Sequence, residues 1–169
     1  MAVEAGTYAE TGTTRRLRLG MVGGGEGAFI GGVHRIAARL DDQYELVAGA
    51  LSADPQRALR SGAMLGLDPK RTYASYEEMA KAERLRPDAM DVVAIVTPNH
   101  MHVPIAETFL RAGFHVICDK PLSTTLAQAV ALRDLARGSD RVFCLSHNYT
   151  GYPLLRHARA MVEAGELGT

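Results

Sequence analysis

The feature that most constrains the fold is the repeated alternation of apolar, strand-like runs with helical patterns. The apolar runs cover residues 17–22, 44–50, 91–96, 114–118 and 141–146. They are almost continuously apolar, which indicates parallel strands that are covered on both faces. A chain of 169 residues fits one domain. We therefore predict an α/β fold with a doubly wound parallel sheet between two layers of helices.

Helix-start signals lie between the apolar runs, as this architecture requires. Each signal is a capping residue followed by a residue favoured in the first helical turn. The three signals are Asp54 with Pro55, Ser75 with Glu78, and Thr125 with Gln128. They predict that helices begin near residues 55, 76 and 126.

Composition and charge exclude several classes of protein. The 19 basic and 19 acidic residues balance, so no field attracts nucleic acid or anionic lipid. No apolar stretch approaches the roughly 20 residues of a membrane-spanning helix. The first fifteen residues lack the apolar core of a secretion signal. We expect a cytoplasmic protein with a flexible extension over 1–15, a single domain over 16–169, and neither a nucleic-acid nor a membrane partner.

The two cysteines lie within apolar runs. Cys118 and Cys144 show no paired or metal-ligand spacing. The sequence therefore predicts two buried, reduced thiols and no metal site.

A glycine-rich turn follows the first apolar run and precedes a helical pattern. Glycines allow close approach of a dinucleotide's pyrophosphate to free amides at a helix N-terminus. At strict spacing the third position of the motif is Ala28, but Gly31 is a second candidate if the turn carries an insertion. The predicted cofactor-binding residues of this segment are Gly23, Gly25, Gly27, Ala28, Phe29 and Ile30.

The end of the second apolar run bears on the choice of nicotinamide cofactor. An acidic residue there binds ribose hydroxyls, whereas a basic pocket accepts a 2′-phosphate. The position is occupied by Ser52, with Arg57 nearby, and Asp54 is predicted to be used as a helix cap. The sequence therefore favours NADP over NAD, with Ser52 as a cofactor-binding residue.

Further polar residues follow the later apolar runs. Ligands of open parallel sheets bind outside the carboxyl ends of the strands, so these residues are expected to converge on one crevice. They are Thr97, Pro98, Asn99, Asp119, Lys120 and Asn148. The ammonium of Lys120 is a candidate reacting group, with a structural ion pair to Asp119 or to a neighbouring carboxylate as the alternative.

Together these motifs resemble the N-terminal half of the Gfo/Idh/MocA oxidoreductases, from about Arg16 onward. The resemblance implies a Rossmann fold and hydride transfer between a nicotinamide cofactor and a sugar, cyclitol or related polyol. Lys120 matches the lysine of the family's Glu-Lys-Pro motif, which implies a catalytic role in polarising the reacting oxygen or relaying a proton. The other positions implied to bind the cofactor are Thr97, Pro98, Asn99, His102, Asp119 and Asn148.

The chain also departs from the family pattern. Asp119 is one methylene shorter than the usual Glu, and Thr150 stands where many relatives carry an arginine. The family's C-terminal substrate domain is expected to be absent. An apolar stripe within 154–164 is then expected to be exposed and to favour a homo-oligomer or contact with the missing domain.

Two other functions remain open at this point. A non-catalytic dinucleotide-binding module could regulate a partner or sense redox state. Alternatively, the chain could be half of an NAD-dependent glycosidase, because the groups that separate the two chemistries would lie in the absent domain.

Overall fold

The structure is a computed structural model that describes residues 15–168. Residues 1–14 of the predicted flexible extension lie outside the described residues. Arg15, the last residue of that extension, pairs with Asp91, and Arg15 Nη1 lies 2.7 Å from Asp91 Oδ2. The extension therefore meets the domain at the start of the central strand.

In the described part of the chain, five parallel strands form one sheet in the order β2-β1-β3-β4-β5. The strands are β1 (Leu17–Gly23), β2 (Tyr44–Ala50), β3 (Val92–Val96), β4 (His115–Asp119) and β5 (Phe143–Ser146). The chain runs outward from β1 in both directions, which is the doubly wound arrangement. The predicted α/β class and the five predicted strands are confirmed, with differences of one or two residues at some ends.

Within residues 15–168, six α-helices connect or follow the strands. They are α1 (Phe29–Leu40), α2 (Pro55–Met64), α3 (Tyr76–Arg84), α4 (His102–Arg111), α5 (Leu126–Arg137) and α6 (Pro153–Glu163). All three predicted caps are confirmed. Asp54, Ser75 and Thr125 each accept a hydrogen bond from the backbone amide three residues ahead, at 2.9, 3.2 and 3.3 Å.

Apolar layers lie on both faces of the sheet. One layer packs Met79, Phe109 and Leu132, from α3, α4 and α5, against the strands. The other packs Ile30 and Ala38 of α1 against the opposite face. All five residues of β3 are buried, which explains why this strand reads as a continuous apolar run.

The edge strand β5 differs from the prediction. Cys118 on β4 is buried, and burial, followed by the nearby Asp119 charge, raises its thiol pKa to about 12. Cys144 on β5 is exposed, so the prediction of two buried thiols is wrong for this residue. The reason is that β5 pairs only with β4, and no residue of α6 is buried.

The C-terminal helix α6 exposes its apolar stripe, as predicted. Leu154 is 82% exposed, and Leu155 and Val162 are also accessible. The helix adjoins the short 3₁₀ turn Asn148–Gly151. Its apolar residues are therefore available to a partner surface.

A buried ionic cluster beneath α3 has no counterpart in the sequence analysis. The carboxylate of Glu83 is fully buried and accepts hydrogen bonds from Arg71 Nε at 3.0 Å, Tyr73 Oη at 2.8 Å and Met90 N at 3.0 Å. Burial, followed by the hydrogen bond to Glu83, raises the pKa of Tyr73. Through Glu83, the cluster connects the segment before α3, which holds Arg71 and Tyr73, to Met90, just before β3.

Glu83→Ala is expected to destabilise the domain by about 3–5 kcal/mol, because it removes the buried partner of the Arg71 guanidinium and leaves only the half-exposed Asp88 carboxylate, 3.5 Å from Arg71 Nη1. Urea unfolding followed by circular dichroism measures the change. Glu163→Ala removes an exposed pair with Arg159 and is expected to change stability little. Equal unfolding midpoints for the two variants would contradict a structural role for the cluster.

Candidate functional site

The carboxyl ends of all five strands lie at one edge of the sheet, because the strands are parallel. The glycine turn follows β1, Ser52 follows β2 and Thr97 follows β3. Lys120 follows β4, and Asn148 follows β5 shortly afterwards. The predicted site residues therefore belong to adjacent loops of one edge, as expected.

Two glycines, Gly23 in the turn and Gly31 in α1, occupy positions that a side chain could not. Gly23 has φ of +79°, and a Cβ there would lie 2.8 Å from the Val96 carbonyl oxygen. A Cβ on Gly31 would lie 2.4 Å from Gly24 Cα. Gly31, and not Ala28, is therefore the residue that permits close packing of the helix against the turn. Of the two alternatives for the third position of the motif, this favours Gly31 and a turn with an insertion.

The N-terminus of α1 has free donors. Ala28 is its N-cap and offers no side-chain hydrogen bond, and the first turn holds no acidic residue. The amides of Phe29 and Ile30 have no intrahelical acceptor at this position. Gly25 N, by contrast, already donates to Leu51 O at 3.1 Å. The uncapped end and the helix dipole together suit an anionic group such as a pyrophosphate.

Side chains from α1 and α2 hold the glycine turn in place. Arg35 Nη1 donates to Gly24 O at 2.7 Å, and Glu26 N donates to Ser61 Oγ at 2.9 Å. The Glu26 carboxylate lies 3.4 Å from Arg60 Nε of α2. The negative charge of Glu26 is therefore on the α2 side of the turn. Sequence reasoning missed Arg35 and Ser61, because nothing local in the sequence links them to the turn.

The end of β2 carries no free carboxylate near Ser52. Asp54 caps α2, and the backbone hydrogen bond from Arg57 lowers its pKa. Ser52 Oγ accepts a hydrogen bond from Asp54 N at 3.1 Å. The predicted use of Asp54 as a cap is thus confirmed.

The turn after β3 contains a polar atom without a partner. Thr97 Oγ1 is buried and, within residues 15–168, has no hydrogen-bond partner. Gly23 lies beside this residue, since a Cβ on Gly23 would be 3.0 Å from Thr97 Cγ2. A polar ligand bound beside the glycine turn would supply the hydrogen-bond partner that this hydroxyl lacks. The residues present therefore fit a dinucleotide.

The predicted contact of His102 with a cofactor is corrected by the structure. His102 is 1% exposed, and its two ring nitrogens lie beside backbone carbonyl oxygens of Pro121 and Thr97. A ring enclosed in this way supports the loops and does not reach a ligand. The neighbouring His100 and Asn99 are exposed.

Lys120 lines an open pocket of about 480 Å³ between α1 and the sheet. Most of its lining is apolar, and its polar residues are His34, Tyr44, Asp119, Lys120, Ser146, Asn148 and Tyr149. Lys120 is exposed, and within the described range it forms no ion pair, whereas Asp119 Oδ1 lies 3.8 Å from His34 Nε2. Burial lowers the pKa of His34, and the Asp119 charge opposes that shift. This geometry does not support a structural pair between Lys120 and Asp119.

The described part of the chain contains no group of three His, Cys, Asp or Glu side chains suited to a metal ion. None of its helices is both long and apolar enough to cross a membrane.

Comparison with known families agrees with the fold and the glycine turn. Residues 17–147 match the family model GFO_IDH_MocA, described as an oxidoreductase family with an NAD-binding Rossmann fold. The chain belongs to this oxidoreductase family.

Individual relatives cover nearly all of this chain but only part of their own length. An oxidoreductase structure from Sinorhizobium meliloti is 59% identical with a TM-score of 0.85, and the match covers 92% of this chain and 43% of that one. An inositol dehydrogenase homolog from Azotobacter vinelandii, solved with NADH and myo-inositol, is 43% identical with a TM-score of 0.88, covering 92% and 41%. Uncharacterized oxidoreductase YfiI of Bacillus subtilis is 38% identical over 156 residues, 92% of this chain and 40% of that protein. The chain thus spans about two fifths of the length of these relatives.

Gly31→Ala is expected to weaken dinucleotide binding strongly and to destabilise the domain by about 1–3 kcal/mol, because the new methyl group forces α1 away from the turn. The matched control is Gly32→Ala in the same helical turn, where the nearest neighbouring atom to a Cβ is Arg35 Nη2 at 3.9 Å. This control is expected to stabilise the domain by about 0.5–1 kcal/mol through helix propensity. Thermal unfolding and calorimetric titration measure both effects. Similar behaviour of the two variants would show that the close approach is unimportant.

Proposed function

We propose that this chain is the dinucleotide-binding part of an oxidoreductase that transfers a hydride between a nicotinamide cofactor and a sugar, cyclitol or related polyol. The observation that carries the proposal is the uncapped N-terminus of α1, held against a glycine turn at the same sheet edge as Lys120. The Azotobacter relative, solved with a dinucleotide and a cyclitol, supports the same assignment.

The cofactor would lie along the carboxyl edge of the sheet. The amides of Phe29 and Ile30 would receive the pyrophosphate, because they have no intrahelical acceptor at the N-terminus of α1. The unpartnered Thr97 hydroxyl would face the nicotinamide half. Other residues proposed to contact the cofactor are Gly23, Gly25, Gly27, Ala28, Ser52, Pro98, Asn99, Asp119 and Asn148.

The proposed chemistry needs one group that interacts with the substrate oxygen. The bound nicotinamide ring supplies the hydride acceptor or donor. Oxidation of a carbinol releases a hydride from carbon and a proton from oxygen. The Lys120 ammonium would donate a hydrogen bond to that oxygen and stabilise negative charge on it as its proton passes to solvent water in the open pocket. Lys120 is accessible and free of a carboxylate partner in the described residues, which suits this role.

The cofactor proposed for this chain is NADP. The support is the absence of a free carboxylate after β2, since Asp54 is engaged at the start of α2 and the exposed Arg57 adds positive charge. The complex of the Azotobacter relative contains NADH, so the choice has to be measured on this protein.

Cellular location and partners also belong to the proposal. A cytoplasmic location is supported by the two free thiols, Cys118 and Cys144, which suit a reducing compartment. The exposed apolar stripe of α6 would be covered by a second copy of the chain or by a C-terminal domain. The matched relatives are long enough to contain such a domain.

Calorimetric titration of the purified chain with NADP and with NAD tests the binding proposal. Saturable binding with NADP preferred is expected. Ser52→Asp is expected to weaken NADP binding roughly tenfold or more and to favour NAD, because a carboxylate repels the 2′-phosphate and accepts ribose hydroxyls. Ala53→Ser, one residue further along, is the matched control and leaves the preference unchanged.

The two parts of the proposal fail in different ways. Absence of binding of either dinucleotide would contradict the site itself. A preference for NAD in the unaltered chain would contradict only the choice of NADP.

A further inference from the structure

We infer that His102 is a positioning residue that fixes the Lys120 segment against the turn after β3. This inference deepens the proposed function and rests on it, because it concerns the placement of Lys120 relative to the cofactor edge. His102 itself is enclosed and touches neither ligand.

The geometry of the ring supports this role. His102 Nδ1 lies 2.7 Å from Pro121 O, and Nε2 lies 3.0 Å from Thr97 O. Carbonyl oxygens only accept hydrogen bonds, so the imidazole is the donor in this arrangement. A neutral ring donates to one of the two oxygens, and a protonated ring donates to both.

The ring connects two segments at the point where the sheet stops connecting them. The paired residues of β3 and β4 end at Ile95 and Cys118. Thr97 and Pro121 lie beyond this pair, where the parallel ladder no longer sets their separation. The His102 side chain lies between the Thr97 and Pro121 carbonyl oxygens and connects the two segments where backbone hydrogen bonds no longer do.

The attachment of His102 to the core makes it a firm support. It is the first residue of α4, and the next residues on its buried side, Val103, Ile105 and Ala106, pack into the larger apolar layer. The ring therefore transmits the position of α4 to the peptide that follows Lys120. A displacement of about 1 Å at a reacting group is large enough to affect rate strongly.

Lysine methyl NMR provides a direct readout of this positioning. The chain has three lysines, Lys70, Lys81 and Lys120, so reductive methylation with ¹³C-formaldehyde gives three side-chain signals. The Lys120 signal is assigned with Lys120→Arg. Lys70 and Lys81 are exposed and serve as internal references.

Two conservative variants separate the two contacts. His102→Asn places an amide nitrogen near the former Nδ1 and keeps a donor for Pro121 O. His102→Gln places it near the former Nε2 and keeps a donor for Thr97 O. We expect the Lys120 signal of the Asn variant to remain close to that of the unaltered chain and that of the Gln variant to shift, with the Lys70 and Lys81 signals unchanged in both.

Dinucleotide titration of the same proteins adds a second readout. His102→Gln is expected to bind roughly three- to tenfold more weakly than the unaltered chain, as loss of one hydrogen bond predicts. His100→Gln in the adjoining exposed turn is the matched control and retains both the affinity and the Lys120 signal. If the unaltered chain binds neither dinucleotide, the proposed function fails, while the NMR comparison still decides the positioning role.

Equal Lys120 signals in the Asn and Gln variants, whether shifted or not, would overturn the inference, because the Pro121 contact would then have no specific effect. Loss of folding in both variants, judged by circular dichroism, would overturn it as well. His102 would in that case determine the fold and not the position of the lysine.

Discussion

The close packing of α1 against the glycine turn is the contact on which the proposed site depends. Gly24 and Gly31 approach so closely that neither position has room for a side chain. This approach brings the uncapped N-terminus of α1 to the carboxyl edge of the sheet, beside the Thr97 turn. Without this packing, the free amides of Phe29 and Ile30 would not lie at the edge of the sheet. The edge would then lack its binding site for the pyrophosphate.

A second set of residues holds the loops without facing the proposed cofactor. Arg35 binds the carbonyl of Gly24, Ser61 accepts from the amide of Glu26, and His102 contacts the Thr97 and Pro121 carbonyls. Each of these side chains belongs to a helix that packs on the sheet. The loops at the edge are therefore fixed by helix packing as much as by their own turn chemistry, and this is the pre-organisation that the proposed hydride transfer would require.

The sequence predicted the parts of the fold that depend on local chemistry. Buried parallel strands such as β3 are continuously apolar, and the caps at Asp54, Ser75 and Thr125 are formed within four residues, so both are visible in a single sequence. Contacts between distant segments were not visible. Glu83 with Arg71, and Ser61 with Glu26, are charged or polar pairs that only the tertiary fold brings together. The exposure of Cys144 follows from the edge position of β5, which strand periodicity alone does not reveal.

The most direct test of the central claim is the response of backbone amides to a dinucleotide, measured by ¹⁵N NMR and hydrogen exchange on the isotopically labelled chain. The amides of Phe29 and Ile30 should shift and become protected on addition of NADP or NAD, because they would gain phosphate acceptors. The amide of Gly25 should gain little further protection from exchange, because it already donates to Leu51 O. Saturable binding that leaves Phe29 and Ile30 unprotected would place the pyrophosphate elsewhere and contradict the site described.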